Sequence, residues 1–238
     1  MLRSEICIIG NKGVVGSATY ELFSRLGYGT TGMDRDESIP EAHTYFICVN
    51  ENEVEGVVEK LSHMWKNALV VIRSTTTPNT ITKLTEKYNL HISHNPEFLR
   101  EAMAVLDEFN PYRIVIGECC KTHGDYLEAL YKPLYRLIVR VSPTMSEWVK
   151  LASNCYLAST IAFWNTIDFL AEKDGISGSQ IGMIASLDPR ISSYGSRYHH
   201  KYGGKCLPKD ISQLIEYSKE LGCNAGLLEA IEKSNDET

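Results

Sequence analysis

Cys206 stands in the run Tyr202-Gly203-Gly204-Lys205-Cys206-Leu207-Pro208-Lys209-Asp210, whose residue types could make a nucleophile. Pro208 fits the first turn of a helix, which would put Cys206 just before it. The positive end of a helix, with Lys205 and Lys209 alongside, favours the thiolate, the reactive form of cysteine. Asp210 follows four residues on and can fold back towards the sulfur. Gly203 and Gly204 let a substrate approach the backbone closely. A small buried thiol in a turn would have the same spacing, so the run alone leaves both readings open.

Three further stretches carry potential chemistry. In Gly10-Asn11-Lys12-Gly13-Val14-Val15-Gly16 a β-branched run gives way to helical spacing. Glycines there admit a pyrophosphate to the backbone, and the helix start supplies N–H donors and positive potential. Asp34 lies 18 residues past Gly16, where an acid takes the ribose hydroxyls of NAD, although Arg35 beside it leaves NADP open. In His94-Asn95-Pro96-Glu97-Phe98-Leu99-Arg100-Glu101 two acids stand four apart. On a helix they would share a face and perturb each other, or simply be a solvated helix start. Glu147, Lys150 and Asn154 have the spacing i, i+3, i+7 and form one polar stripe on a helix. Lys150 there could act as a base or oxyanion partner, or only pair with Glu147 at the surface.

The elements that must position these groups follow a clear order. Apolar runs at Ile6–Ile9, Gly29–Met33, Tyr45–Val49, Ala68–Ile72, Leu90–Ser93, Arg113–Ile116 and Leu137–Val141 read as strands. Helical patterns separate most of them. This predicts an α/β fold, a Rossmann-type parallel sheet covered on both faces. Only RDESIPEAH, residues 35–43, separates the second run from the third, short for a parallel crossover, so either the connection is non-helical or the pairing differs. From Pro143 or Ser146 a helix without Gly or Pro can run to Gly175. Its apolar residues face more than one side, which suggests a partner. We expect residues 1–141 to form the Rossmann-type domain. Residues 142–238 would form a mainly helical domain with one long central helix and short helices around the Gly/Tyr/His-rich loop 191–205.

Composition narrows the partners. A formal net charge of −6 argues against non-specific nucleic-acid binding, which needs a basic surface. The seven cysteines include no CxxC pair, which argues against a disulfide framework or zinc ribbon, and no metal is expected. Adjacent Cys119 and Cys120 are too close in sequence for an ordinary bridge. The thiols read as reduced and the location as cytoplasmic. No stretch approaches a membrane span, and the N-terminus does not read as a signal peptide.

Taken together the motifs resemble the UDP-glucose/GDP-mannose dehydrogenase family. GGKCLPKD is similar to that family's GG-x-C-x-PKD nucleophile motif, and HNPEFLREAMAVLDEFNPYRIVIGE to its NPEFLREG segment. IRSTTTPNT, EWVKLASNCYLAS and DPRI resemble its Thr/Pro turn, its E-x-x-K-x-x-x-N helix and its substrate arginine motif. The resemblance implies oxidation of a sugar C6 alcohol to the carboxylate with two NAD, through a thiohemiacetal and a thioester on Cys206. By that resemblance Lys150 and Asn154 stabilise the oxyanion, Asp210 and Thr75 position water, and Glu97 acts in thioester hydrolysis. Gly10, Asn11, Lys12, Gly13, Val14, Val15, Asp34, Arg35, Val49, Ser74, Thr75, Glu101 and Lys209 would contact NAD. Phe98, Leu99, Arg100, Glu101, Lys150, Asn154, Arg197, Tyr202 and Gly203 would contact the nucleotide sugar, and Arg190 would reach a neighbouring subunit's site. The long helix, carrying Trp148, Phe163 and Trp164, would form a homodimer core.

The chain also departs from the family pattern. The glycine loop has one extra residue, the segment after Asp34 is short, and the chain reads as a short form without a C-terminal nucleotide-binding domain. Two alternatives stay open: a non-enzymatic or partner-dependent NAD-binding dimer, and a hydroxyacid-type dehydrogenase, which needs no nucleophilic cysteine.

Overall fold

The computed structural model describes residues 4–35, 37–65 and 67–237. It divides into two compact units, Met1–Lys150 and Leu151–Thr238.

All seven apolar runs form strands, shifted by a few residues at their ends. They are β1 (Ser4–Ile9), β2 (Thr30–Met33), β3 (Ala42–Ile47), β4 (Leu69–Ile72), β5 (His91–His94), β6 (Ile114–Gly117) and β7 (Ile138–Val141). They make one sheet in the order β2-β1-β3-β4-β5-β6-β7. The helices of this unit are α1 (Val14–Arg25), α2 (Glu51–Met64), α3 (Thr80–Tyr88), α4 (Ala104–Phe109) and α5 (Lys121–Tyr131), and α6 (Pro143–Glu172) begins in it. Strand alternation sends side chains to two cores. Ile6 and Ile8 of β1 pack with Leu22 and Phe23 of α1 and Leu127 and Leu130 of α5. Cys7 and Ile9 pack on the other face with Val54, Val58 and Leu61 of α2 and Ile81 and Leu84 of α3. Full burial of each large apolar side chain is worth roughly 1.5–3 kcal/mol, so the two covered faces account for much of the unit's stability.

Two details correct or resolve the sequence reading. The sheet is not wholly parallel. β5 and β6 pair antiparallel, with His94 opposite Gly117, while β6 and β7 are parallel to each other. Hydrophobic patterning carries no strand direction, so the reversal was not visible in the sequence. The described residues of the short link, 34–35 and 37–41, hold no helix, and β2 and β3 do not pair with each other but flank β1 on opposite sides. The Tyr45 hydroxyl holds the end of the link, donating to Pro40 O at 2.8 Å and accepting from Ala42 N at 2.9 Å.

The second unit contains the rest of α6 with α7 (Gly178–Ala185), α8 (Cys206–Glu220) and α9 (Gly226–Asp236). Leu151, Cys155, Ala158 and Ala162 recur at helical spacing along α6 and pack with Ile211, Leu214 and Ile215 of α8 and Ile231 of α9. Another side of α6 leaves Tyr156, Phe163, Phe169 and Leu170 exposed. Trp164 does not join them; it is buried in its own unit, with its indole N–H donating to Ser192 O at 3.3 Å.

Candidate functional site

The cofactor loop is shaped by contacts that only glycine allows. Gly10 has φ +85°, and a Cβ there would sit 2.5 Å from Cys48 O. A Cβ on Gly16 would sit 2.1 Å from Gly10 O, so α1 starts hard against the end of β1. Gly13 precedes the first helical residue, Val14; no side chain caps the helix and no acid lies in its first turn. Asn11 lies over Gly32 of β2, and its Oδ1 is buried without a hydrogen-bond partner. An uncapped helix start beside close-packed glycines fits a pyrophosphate. Val15 follows at the half-buried start of α1. Val49 leans over Gly10, and Val49 O accepts the Ser74 hydroxyl at 2.6 Å.

Asp34 directly follows β2, half-buried, and its Oδ1 accepts Arg35 N at 2.8 Å. Glu37 accepts Asp34 N at 2.9 Å and the Lys12 ammonium at 3.0 Å. The Arg35 guanidinium is paired with Glu53 of α2.

The segment after β5 is extended, not helical, so Glu97 and Glu101 do not share a helix face; Glu101 begins a 3₁₀ turn over Glu101–Met103. Glu97 is 8% exposed and accepts from the Lys150 ammonium at 2.9 Å and from Leu99 N at 2.6 Å. Burial raises its pKa, but Lys150, the Leu99 N–H and Arg73 outweigh burial and hold it below the usual carboxylate value. Lys150 is itself 2% exposed, with its ammonium 5.5 Å from the centre of the Phe98 ring. Arg113 lies over the same ring at 4.1 Å. Leu99 is half-buried, and exposed Arg100 is clamped by Asp107.

Lys150 therefore does not pair with Glu147 at the surface. Glu147 is fully buried and accepts the Thr76 hydroxyl at 3.0 Å, Asn79 N at 2.8 Å and Ile81 N at 3.0 Å. It caps α3 from another helix, the charge complement that a helix N-terminus favours. Burial still pushes its pKa above the ordinary value, against those donors. Half-buried Thr75 precedes Thr76 in the same turn.

Two groups missed by sequence reasoning brace this segment. Arg73 donates to Asn95 at 2.9 Å, Tyr131 at 2.8 Å and Glu108 at 2.9 Å, all of them buried. Burial raises the Glu108 pKa by more than Arg73 lowers it. His94 is fully buried between Ser146 Oγ at 2.7 Å and Ser74 O at 3.3 Å. A carbonyl can only accept, so Nε2 carries the proton and Nδ1 accepts from Ser146.

In the second unit Cys206 is exposed and is the first residue of α8, not the residue before it. Gly204 has φ +75°, and Gly203 has open space where a Cβ would stand. Asp210, one turn along α8, is fully buried and accepts from Asn154 Nδ2 at 2.6 Å. Its other oxygen lies 2.8 Å from the Lys209 ammonium, an ion pair without hydrogen-bond geometry. Asn235 holds the loop through Tyr202, accepting Tyr202 N at 2.7 Å and donating to Tyr202 O at 3.1 Å. Arg190 is exposed and bound to Asp188, and exposed Arg197 lies near Met183.

Residues 144–237 match the central domain of the UDP-glucose/GDP-mannose dehydrogenase family, and residues 38–135 match its NAD-binding domain. The chain belongs to the UDP-glucose/GDP-mannose dehydrogenase family. It is 38% identical over 193 residues to a UDP-glucose 6-dehydrogenase of Rickettsia bellii, covering 77% of this chain and 44% of that protein. A GDP-mannose 6-dehydrogenase of Pseudomonas putida is 29% identical over 235 residues, covering 87% of this chain and 53% of that one. A UDP-glucose dehydrogenase structure from Pyrobaculum islandicum superposes with a TM-score of 0.89 at 25% identity, covering 99% of this chain and 68% of that one. The chain thus spans about half the length of these curated relatives. As in the family, the cofactor is NAD. The matched stretch of the NAD-binding domain begins after the glycine loop and Asp34, so those residues rest on their own geometry. Among the described residues no helix is long and apolar enough to cross a membrane.

His94 gives a pH test. Burial lowers its pKa from 6.5 to about 3. Below 6.5 the unfolded chain binds a proton that the folded chain does not, so stability is present above pH 6.5 and falls as pH drops towards 3. From pH 7 to 5 the loss should be on the order of 2 kcal/mol. His94→Gln keeps a donor for Ser74 O and should flatten that slope in denaturant titrations. His123, whose pKa is also lowered, adds to the slope in both proteins and cancels in the comparison. Equal slopes would contradict a buried neutral His94.

Proposed function

We propose that the chain oxidises the C6 alcohol of a nucleotide sugar to the carboxylate through a covalent bond to Cys206. The observation that carries this is the position of Cys206. It is exposed at the first residue of a 15-residue helix, and Gly203, three residues before it, has open space where a Cβ would stand. The start of a helix is where an anionic sulfur or oxyanion is best accommodated.

NAD supplies the hydride acceptor for both oxidations. Removal of a hydride from C6 and a proton from its hydroxyl gives the aldehyde. The Cys206 sulfur adds to the aldehyde carbon, and the oxygen takes a proton to give a thiohemiacetal. Loss of a second hydride and that proton leaves a thioester. Water then adds, the C–S bond breaks, and the carboxylate leaves with the thiol restored. Lys150, held by Glu97, and Asn154, held by Asp210, stabilise the oxygen charge at each stage. Lys150 also moves the proton. Asp210 and Thr75 position the water, and Glu97 assists its attack. Phe98, Leu99, Arg100, Arg197, Tyr202 and Gly203 recognise the nucleotide sugar, with Glu101 and Lys209 towards the cofactor.

The test is reduced-nicotinamide absorbance with NAD and either UDP-glucose or GDP-mannose. Two NADH per sugar are expected, and Cys206→Ser should lose turnover by at least roughly 10³-fold. Wild-type turnover in that variant would overturn the covalent route. NAD binding without reduction would favour a non-enzymatic or partner-dependent protein, and activity that survives thiol alkylation would favour hydroxyacid-type chemistry.

We further propose a homodimer through α6. Tyr156, Phe163 and Leu170 are exposed at seven-residue spacing, the repeat of a helix–helix seam. In this assembly Arg190 serves the neighbouring subunit. Sedimentation should give twice the 26.7 kDa chain mass, and Phe163→Asp should shift it towards monomer. A wild-type monomer at micromolar concentration would contradict the seam.

A further inference from the structure

The reversal of β6 produces a cluster that the dehydrogenase chemistry does not use. The antiparallel pairing of His94 with Gly117 turns the chain after β6 back along β5, towards His91. Cys119 N approaches Ser93 Oγ at 3.3 Å along that line. Cys120 is the extended residue just before α5, and His123 lies in the first turn of α5. Side chains of consecutive extended residues normally diverge. Here both sulfurs reach one nitrogen: His123 Nδ1 lies 3.2 Å from Cys119 Sγ and 3.3 Å from Cys120 Sγ. The His91 ring meets the His123 ring edge-on, with centroids 4.7 Å apart. One ligand atom from each of His91, Cys119, Cys120 and His123 lies within 4.8 Å of the other three.

We propose that His91, Cys119, Cys120 and His123 form a structural zinc site. Two thiolates and two imidazoles are a zinc donor set, and four protein ligands close the coordination shell, as in non-catalytic sites. Zn–S and Zn–N bonds of about 2.3 and 2.0–2.1 Å in a tetrahedron require S···N edges of about 3.6 Å. The two sulfur–nitrogen distances are within a few tenths of an ångström of that, so the turn after β6 needs only a small expansion. Acidic neighbours are already committed: Glu118 pairs with Arg140, and Asp125 with Lys121 and Arg140.

The site's position argues for structure over catalysis. His91 is level with Leu69 of β4 and Thr44 of β3, towards the amino ends of the parallel strands. Ile9, Ile47 and Ile72, at their carboxyl ends, lead to the cofactor loop and the Thr/Pro turn. The ion would therefore tie the start of β5 to the β6–α5 turn, at the joint between the two strand directions, away from the reaction.

Cobalt(II) is the probe, because tetrahedral thiolate-bound cobalt has intense visible bands and a sulfur-to-metal charge-transfer band. The reduced, metal-free full chain should bind one cobalt with both signatures, and zinc should displace it. Cys119→Ser/Cys120→Ser should lose the charge-transfer band. His91 is exposed, so His91→Ala should fold normally and bind at least about tenfold more weakly. Zinc should raise the thermal midpoint of the wild type but not of the double serine variant. Unchanged cobalt spectra in the serine variant would overturn the proposal, since the metal would then sit on another thiol such as Cys206 or Cys223. So would a wild type that binds no cobalt and instead forms a Cys119–Cys120 disulfide in air. Neither readout depends on turnover.

Discussion

A lysine ammonium that is almost fully buried must have a counter-charge, and Glu97 supplies it. Removing one partner of such a pair costs about 3–5 kcal/mol, because the other is left charged and unsolvated. The pair therefore dictates much of its surroundings. Glu97 must sit at a fixed point after β5, and the Leu99 N–H and the extended backbone from Asn95 hold it there. Asn95 is held in turn by Arg73, Tyr131 and Val115 O. Lys150 must sit at a fixed height on α6, and Glu147 sets this by capping α3 while His94 holds Ser146. The ionic groups around the Lys150–Glu97 pair are braces for one buried charge.

The sheet divides its labour along the strand direction. The carboxyl ends of β1, β2, β3 and β4 lead to the glycine loop, Asp34, Val49 and Ser74, the usual place for a nucleotide in an open α/β sheet. The antiparallel pairing of β5 and β6 brings a second set of reactive side chains to the other end. A purely parallel β6 would carry Cys119 and Cys120 to the cofactor end.

Much of this was legible in the sequence, for physical reasons. Buried strands are near-continuous apolar runs, so β1, β3, β4 and β6 were readable directly, while the half-buried edge strands β2 and β7 were readable from the alternation of strands with helical patterns. The glycine loop was readable because a close turn tolerates no Cβ. Cys206, Lys150 and Asn154 could be placed at a helix start and on a helix face because short-range spacing fixes such positions. Long-range pairing was not legible. Nothing in the spacing joins Glu97 to Lys150, 53 residues apart, or Glu147 to the start of α3. The surface pairing of Glu147 with Lys150 looked natural because i, i+3 neighbours are the only partners that sequence offers. Cys119 and Cys120 lacked the CxxC spacing of a metal ribbon, and their partner His91 comes from a different strand. Trp164 read as an exposed interface residue, although its own loop covers it.

The covalent role of Cys206 is the claim on which the functional account rests. The direct measurement is rapid acid quenching of the wild-type protein with NAD and UDP-glucose or GDP-mannose, followed by peptide mass spectrometry. The account predicts the oxidised sugar nucleotide attached as a thioester to the peptide containing Cys206, transient and absent without NAD. Steady NADH formation with that peptide unmodified at every quench time, or an adduct on a different cysteine, would contradict it.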